Sequence, residues 1–267
     1  ESEIELVGDR LHRQTMQALL LLVLLRPTWQ QGVKIAQAAA KGETTRVLHL
    51  LQKGAPLDGS AALLQAAQNG HASVASALLE HGVSAEPRQG GVSPLIIAAA
   101  SGNLAVARAL LAHGASVDAT DPEGDDATSL LLAAEHGEVA LVHELLKNRA
   151  AVDAADSSGM TPLLAASQNG HGEIVSALCD AGASIKMRRT KLPGYKEALA
   201  NLQRRLPDLG CIKAAQHGAL TPLFLAAIGG HGKAVAALLK RMPAKASDPC
   251  VLALAKWMGN AEVVALM

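Results

Sequence analysis

Aromatic residues are almost absent from this 267-residue chain: only Trp29, Tyr195, Phe224 and Trp257 occur. The interior must therefore be filled by Ala, Leu and Val, which suits thin helices packed closely together. The same scarcity leaves almost no platform for base stacking, and no recognised nucleic-acid module is present, so nucleic acid is not an expected partner. Cysteine is sparse as well. Cys179, Cys211 and Cys250 lack metal-ligand spacing, and an odd, scattered set does not make a disulfide framework. Buried thiols in a reducing, intracellular compartment are expected, the cytoplasm first, with an organelle reached by a removed targeting peptide as the alternative. Charge of one sign is missing too. Lys and Arg number 24 against 24 Asp and Glu, so bulk electrostatics point to no particular partner.

Long apolar runs are also lacking. The most apolar, residues 18–25, lies between Arg13 and Arg26, and a membrane span needs about 20 residues. The start is acidic (Glu1, Glu3, Glu5), unlike a signal peptide. Residues 1–32 read either as a helix that caps the rest of the chain or as a docking helix for a membrane-bound assembly. No span is expected, and peripheral membrane association stays open.

What is present is a phrase that comes round seven times. An alanine is followed four residues later by a glycine, and an apolar pair follows at a fixed distance. The glycines are Gly42, Gly70, Gly102, Gly137, Gly170, Gly230 and Gly259, spaced 28, 32, 35, 33, 60 and 29 residues apart. A period near 33 marks a stacked-repeat protein. Four residues before each glycine stand Ala38, Ala66, Ala98, Ala133, Ala166, Ala226 and Ala255. A position held to a methyl group is where helices lie close. Eight residues after stand Leu50, Leu78, Leu110, Leu145, Leu178, Leu238 and Met267, and positions four, five and eight after the glycine share one helical face.

Nine residues before the glycine, Ser93, Thr128, Thr161 and Thr221 supply capping hydroxyls, and Pro94, Pro162 and Pro222 follow three of them. This is a helix start. The glycine ends the helix in the left-handed conformation. A second helix should end near Gly54, Gly82, Gly114 and Gly182, before a turn-rich link such as residues 118–124 or 153–159.

Two short antiparallel helices and a turn per unit resemble the ankyrin repeat. The residues carrying the resemblance are Thr161-Pro-Leu-Leu-Ala-Ala-Ser-Gln-Asn-Gly-His171 and Thr221-Pro-Leu-Phe-Leu-Ala-Ala-Ile-Gly-Gly-His231. The expected fold is all-α: a solenoid of about seven helix–turn–helix units. Residues 1–32 form an N-terminal cap, 33–183 repeats one to five, 184–217 an insertion, and 218–267 repeats six and seven, the last incomplete. There are departures from the family. Ile96, Leu164 and Phe224 replace its histidine, so the hydrogen bond that residue makes must be missing. Arg149 and Met242 replace the second glycine, so those two turns are expected to be irregular. The chain lacks an initial Met, and its Leu266-Met267 end lacks the polar face that solenoid ends need. Further chain, a processed product or an end covered by a partner is expected.

The insertion is chemically distinct. Lys186, Arg188, Arg189, Lys191, Lys196, Arg204, Arg205 and Lys213 face only Glu197 and Asp208, eight minus two giving +6. Residues 195–206 read as a short amphipathic helix, with Leu199, Leu202 and Leu206 on one face. The segment is either a solvated loop folded back on the stack or a basic arm for an acidic protein surface, an anionic lipid headgroup or, the weakest of the three, a nucleic-acid backbone. A second charged feature is the link carrying Asp118, Asp121, Glu123, Asp125 and Asp126. It lacks the alternating ligands, turn glycine and terminal glutamate of a calcium loop. It reads as a solvated turn or as a hairpin tip contacting a basic partner.

Catalytic chemistry is not visible. Gly229-Gly-His-Gly-Lys233 fails as a phosphate loop, because Ala227 and Ala234 stand where glycine and Ser/Thr are required. His71, His171 and His231 hold equivalent places after turn glycines, which argues for local structure. No nucleophile, base and orienting group fall together. No enzyme activity, cofactor or metal is expected of this segment.

The resemblance implies partner binding by the hairpin tips and the first helices. The residues before each turn glycine would point there: Gln68 and Asn69, Glu135 and His136, Gln168 and Asn169, and Trp257. Trp257 is either an anchor or the packing floor of a further unit. With Asp121, Glu123, Asp125 and Asp126 of the acidic tip and Arg188, Arg189, Lys191, Tyr195, Lys196, Arg204 and Arg205 of the insert, these are the candidate contacts. The expected role is a non-enzymatic interaction scaffold with protein partners, within a larger complex; nothing signals homo-oligomerisation. The alternatives are a peripheral subunit of a large, membrane-attached assembly, and the targeting segment of an enzyme whose catalytic domain lies elsewhere.

Overall fold

The computed structural model describes residues 30–54, 60–86, 92–121, 125–186, 221–242, 252, 256, 259 and 261–266. Helix starts follow from local chemistry. Ser93, Thr128, Thr161 and Thr221 lie in extended backbone, and their hydroxyls accept from the N–H groups of Leu95, Leu131, Leu164 and Phe224. Each cap satisfies a donor that a helix start leaves open. All seven turn glycines are left-handed, with φ between 68° and 81°.

The resulting helices are α1, helical over residues 30–40, α2 (Thr44–Gln52), α3 (Ser60–Asn69), α4 (Ala72–Glu80), α5 (Pro94–Ala100), α6 (Leu104–Ala112), α7 (Ser129–His136), α8 (Val139–Lys147), α9 (Pro162–Asn169), α10 (Gly172–Asp180), α11 (Pro222–Ile228), α12 (Gly232–Leu239) and α13 (Ala261–Leu266). Odd-numbered helices pack in series from α3 to α11, even-numbered ones from α2 to α12, and α13 packs on α12. The protein is thus an all-α stack of two helix rows. Among the described residues no strand forms, and Thr120 and Thr128 make one isolated antiparallel bridge.

The core is a continuous slab between the rows. The alanine column is closed to solvent: Ala38 is 1% exposed, and Ala66, Ala98, Ala133, Ala166 and Ala226 are 0%. Leu78, Leu110, Leu145, Leu178 and Leu238 fill the gaps between units, while Leu50 is only half-buried and its neighbour Leu51 takes the buried place. Ile96, Leu164 and Phe224, which replace the family's histidine, are all buried. At these places apolar burial, about 1.5–3 kcal/mol per side chain, stands where a polar contact would otherwise be.

One expectation fails and its partner holds. Arg149 does not disturb its turn, because it enters the left-handed region itself, at φ 64°. Its N–H donates to the Leu146 carbonyl at 2.9 Å and that of Ala150 to Leu145 at 3.1 Å. Gly114 and Ala115 make the same pair of bonds one unit earlier. The core contact of Ala150 and the capping bonds outweigh the backbone strain. Arg149→Gly is therefore expected to stabilise the fold by about 1 kcal/mol, read as a higher urea midpoint at unchanged slope. Met242 does change its turn. Helix α12 stops at Leu239, one residue earlier in register than its counterparts, and Arg241 N–H closes it on the Leu238 carbonyl at 3.0 Å.

Candidate interaction surface

The exposed ends of the first helices are held in place by a ladder of bonds between units. His71 Nε2 lies 3.1 Å from the Ala40 carbonyl, His171 Nε2 3.0 Å from Glu135, and His231 Nε2 3.0 Å from Gln168. A carbonyl only accepts, so each ring carries its proton on Nε2. Asn103 donates to Ala67 at 2.7 Å and to Gln68 at 3.2 Å, and Asn169 donates to Glu135 at 2.8 Å. The histidines after the turn glycines are therefore structural. They anchor the backbone of Ala40, Glu135 and Gln168, and Asn103 anchors that of Gln68; the side chains of Gln68, Glu135 and Gln168 stay exposed.

A second ladder runs along the link segments. Asp118 accepts from Ala151 N–H at 2.8 Å, Asp153 from Ser184 N–H at 3.0 Å, and Glu86 from Ser116 N–H at 2.6 Å. Asp118 is thus committed to the stack. Asp156 closes its own turn by accepting from Ser158 N–H, Ser158 Oγ and Met160 N–H. Ser157 N–H donates to the Asp125 carbonyl at 2.8 Å, which joins the tips of units four and five.

Between those two tips and the helices α7 and α9 lies a groove of about 650 Å³. Leu131, Leu132 and Met160 line it on the apolar side; Asp121, Asp125, Glu135 and Asp156 line it with carboxylates, and among the described residues neither Lys nor Arg lines it. Gln168 also lines it. Four sequence candidates, Asp121, Asp125, Glu135 and Gln168, are thereby brought together from a link and two helices. Asp126 does not line the groove; it is exposed at φ 58°. Gln68 and Asn69 lie two units away. Asn69, His136 and Asn169 are exposed but commit polar atoms to the stack: Asn69 bonds the Gln65 carbonyl, His136 that of Leu132, and Asn169 that of Glu135. Glu123, Trp257 and the candidates of the basic insert, Arg188, Arg189, Lys191, Tyr195, Lys196, Arg204 and Arg205, lie outside the described residues. Leu132 and Met160 were not candidates; in the sequence nothing distinguishes them from core residues.

Other chemistry is quiet. Among the described residues no group of three His, Cys, Asp or Glu could hold a metal ion, and no helix is long and apolar enough to cross a membrane. Burial pushes the Cys179 thiol above its ordinary range, the opposite of a reactive thiolate.

A family model described as ankyrin repeats in three copies matches residues 35–121 and 119–189. This chain belongs to the ankyrin-repeat family. Among solved structures, the human ASB11 ankyrin repeat domain superposes with a TM-score of 0.63 at 23% identity, covering 87% of this chain and 97% of that one. At that identity the likeness concerns the fold. No curated protein matches the sequence significantly. Ankyrin repeats are in general protein–protein interaction modules and typically non-catalytic, and the exposed ends of the first helices here accord with that.

Proposed function

We propose that this ankyrin-repeat protein is a non-enzymatic scaffold that grips a partner protein at the groove between the tips of units four and five. The observation that carries the reading is the convergence of Asp125 and Glu135 over an apolar lining of Leu132 and Met160. Carboxylates beside apolar surface fit a partner segment in which Lys or Arg stands next to an apolar side chain, since the stem of such a residue packs while its head pairs. The ladder bonds that fix the Glu135 backbone, and the Ser157–Asp125 bond that fixes the tip, set the site before the partner arrives, which limits the ordering cost.

Affinity capture from native extract, quantified by mass spectrometry, tests this with the double variant Asp125→Lys, Glu135→Lys. Both side chains are exposed, so the fold should be unaffected, which a melting curve checks. Capture of the principal partners should fall about tenfold or more, because like charges now meet. A parallel variant, Arg188→Gln, Arg189→Gln, Arg204→Gln, Arg205→Gln, neutralises the insert. Partners lost only with that variant would assign recognition to the basic segment and overturn the groove; partners retained by both would overturn it too.

A further inference from the structure

One rung of the inner-turn ladder is missing. The place held by His71, Asn103, His171 and His231 belongs in unit four to Glu138. Its side chain sits where theirs do. A Cβ built on Gly102 would lie 2.7 Å from Glu138 Oε1, as Cβ atoms on Gly42, Gly70, Gly137 and Gly170 would meet the four ladder side chains. An ionised carboxylate has acceptors and no proton. It cannot donate to the carbonyls that end α5, and it sets negative charge beside the negative end of that helix.

The remaining polar links at this junction lie elsewhere. Arg108 Nε donates to Glu144 Oε2 at 2.7 Å between α6 and α8, on the other helix row, and Ser116 N–H donates to Glu86 in the links. On either side the inner turns are closed. Asn103 ties unit three to unit two. Asn169, His171 and the Ser157–Asp125 bond tie unit five to unit four, and His231 with the Arg241–Asp180 ion pair ties six to five.

We propose that the junction between units three and four is a built-in pivot. The inner turns part at Gly102 about the Arg108–Glu144 contact, while units four to six move as one piece and carry the groove with them. The motion alters the distance between Gln68 and Glu135, so one exposed row adapts to partners of different shape. The inference rests on the bond ladder and stands whether or not the groove is the binding site.

Residue-resolved hydrogen exchange on the full chain, expressed as protection factors, tests it. The amides of Gly102, Asn103 and Leu104 should be about tenfold less protected than the equivalent amides of Gly70 to Ala72 and Gly170 to Gly172, one hydrogen bond's difference in opening. Glu138→Gln is isosteric and supplies an N–H donor; Glu138→His copies the other units. Either should raise protection at 102–104 about tenfold and leave turns two and five within about twofold. Equal protection of all turns in the natural chain overturns the pivot. So does failure of both variants to act, or an equal gain at every turn, which would mark a global change in stability.

Discussion

Gly170→Ala is expected to destabilise the stack by about 3 kcal/mol, while the same change at Gly182 costs about 1 kcal/mol. Both glycines are left-handed, at φ 79° and 92°, so both variants carry the strain of an L side chain in that region. The surroundings differ. A Cβ at Gly182 meets nothing within 4 Å; at Gly170 it would collide with His231 Nδ1. That ring spans two units and donates to the Gln168 carbonyl at 3.0 Å. It must leave, taking the interunit bond with it and opening the junction between units five and six. Urea denaturation of the two single variants gives the comparison. A cycle with His231→Ala separates the causes: without the ring, Gly170→Ala should fall to about the 1 kcal/mol of Gly182→Ala. Equal costs at Gly170 and Gly182 in the natural background would mean that the ladder contributes nothing.

Legibility in the sequence followed locality. Ser93, Thr128, Thr161 and Thr221 were readable as caps because a hydroxyl, two or three residues and an N–H settle the matter within one turn. The alanine and leucine columns were readable because a stack repeats the same neighbours at a fixed period. Arg149 misled, since the strain of a left-handed arginine is local but the burial of Ala150 that helps hold it there is set by the stack. The groove was legible only in pieces. The acidic tip and the exposed pair before each turn glycine were each visible, but Asp125 and Glu135 stand ten residues apart and meet only because the tip folds over α7. The apolar lining was hidden, because Leu132 and Met160 read as ordinary core residues. Glu138 was written in the ladder column all along, as a carboxylate among donors; its meaning needed the distance to Gly102 and the carbonyls one unit away.

Ala166→Leu should also cost about 1–3 kcal/mol. Ala166 is 0% exposed on α9, a helix packed on α7, α10 and α11. Its column holds alanine in every unit, and the carbonyl of Ala166 accepts the His171 N–H at 2.9 Å that closes the turn. Three added carbons must displace neighbours, since Ala166 and the residues beside it on α9, Leu163, Leu164 and Ala165, are at most 1% exposed. The new side chain must either leave its rotamer or push the neighbouring first helices apart. Pushing them apart strains the His171–Glu135 and His231–Gln168 bonds together, so the damage should spread to both junctions of unit five. Ala100→Leu is the control. Ala100 is an exposed alanine on α5, and leucine there should change stability by less than about 0.5 kcal/mol. A lower thermal midpoint for Ala166→Leu alone fits a close-packed helix contact. An unchanged midpoint would mean that the alanine column is not where the helices meet and that the repeat register has been placed wrongly.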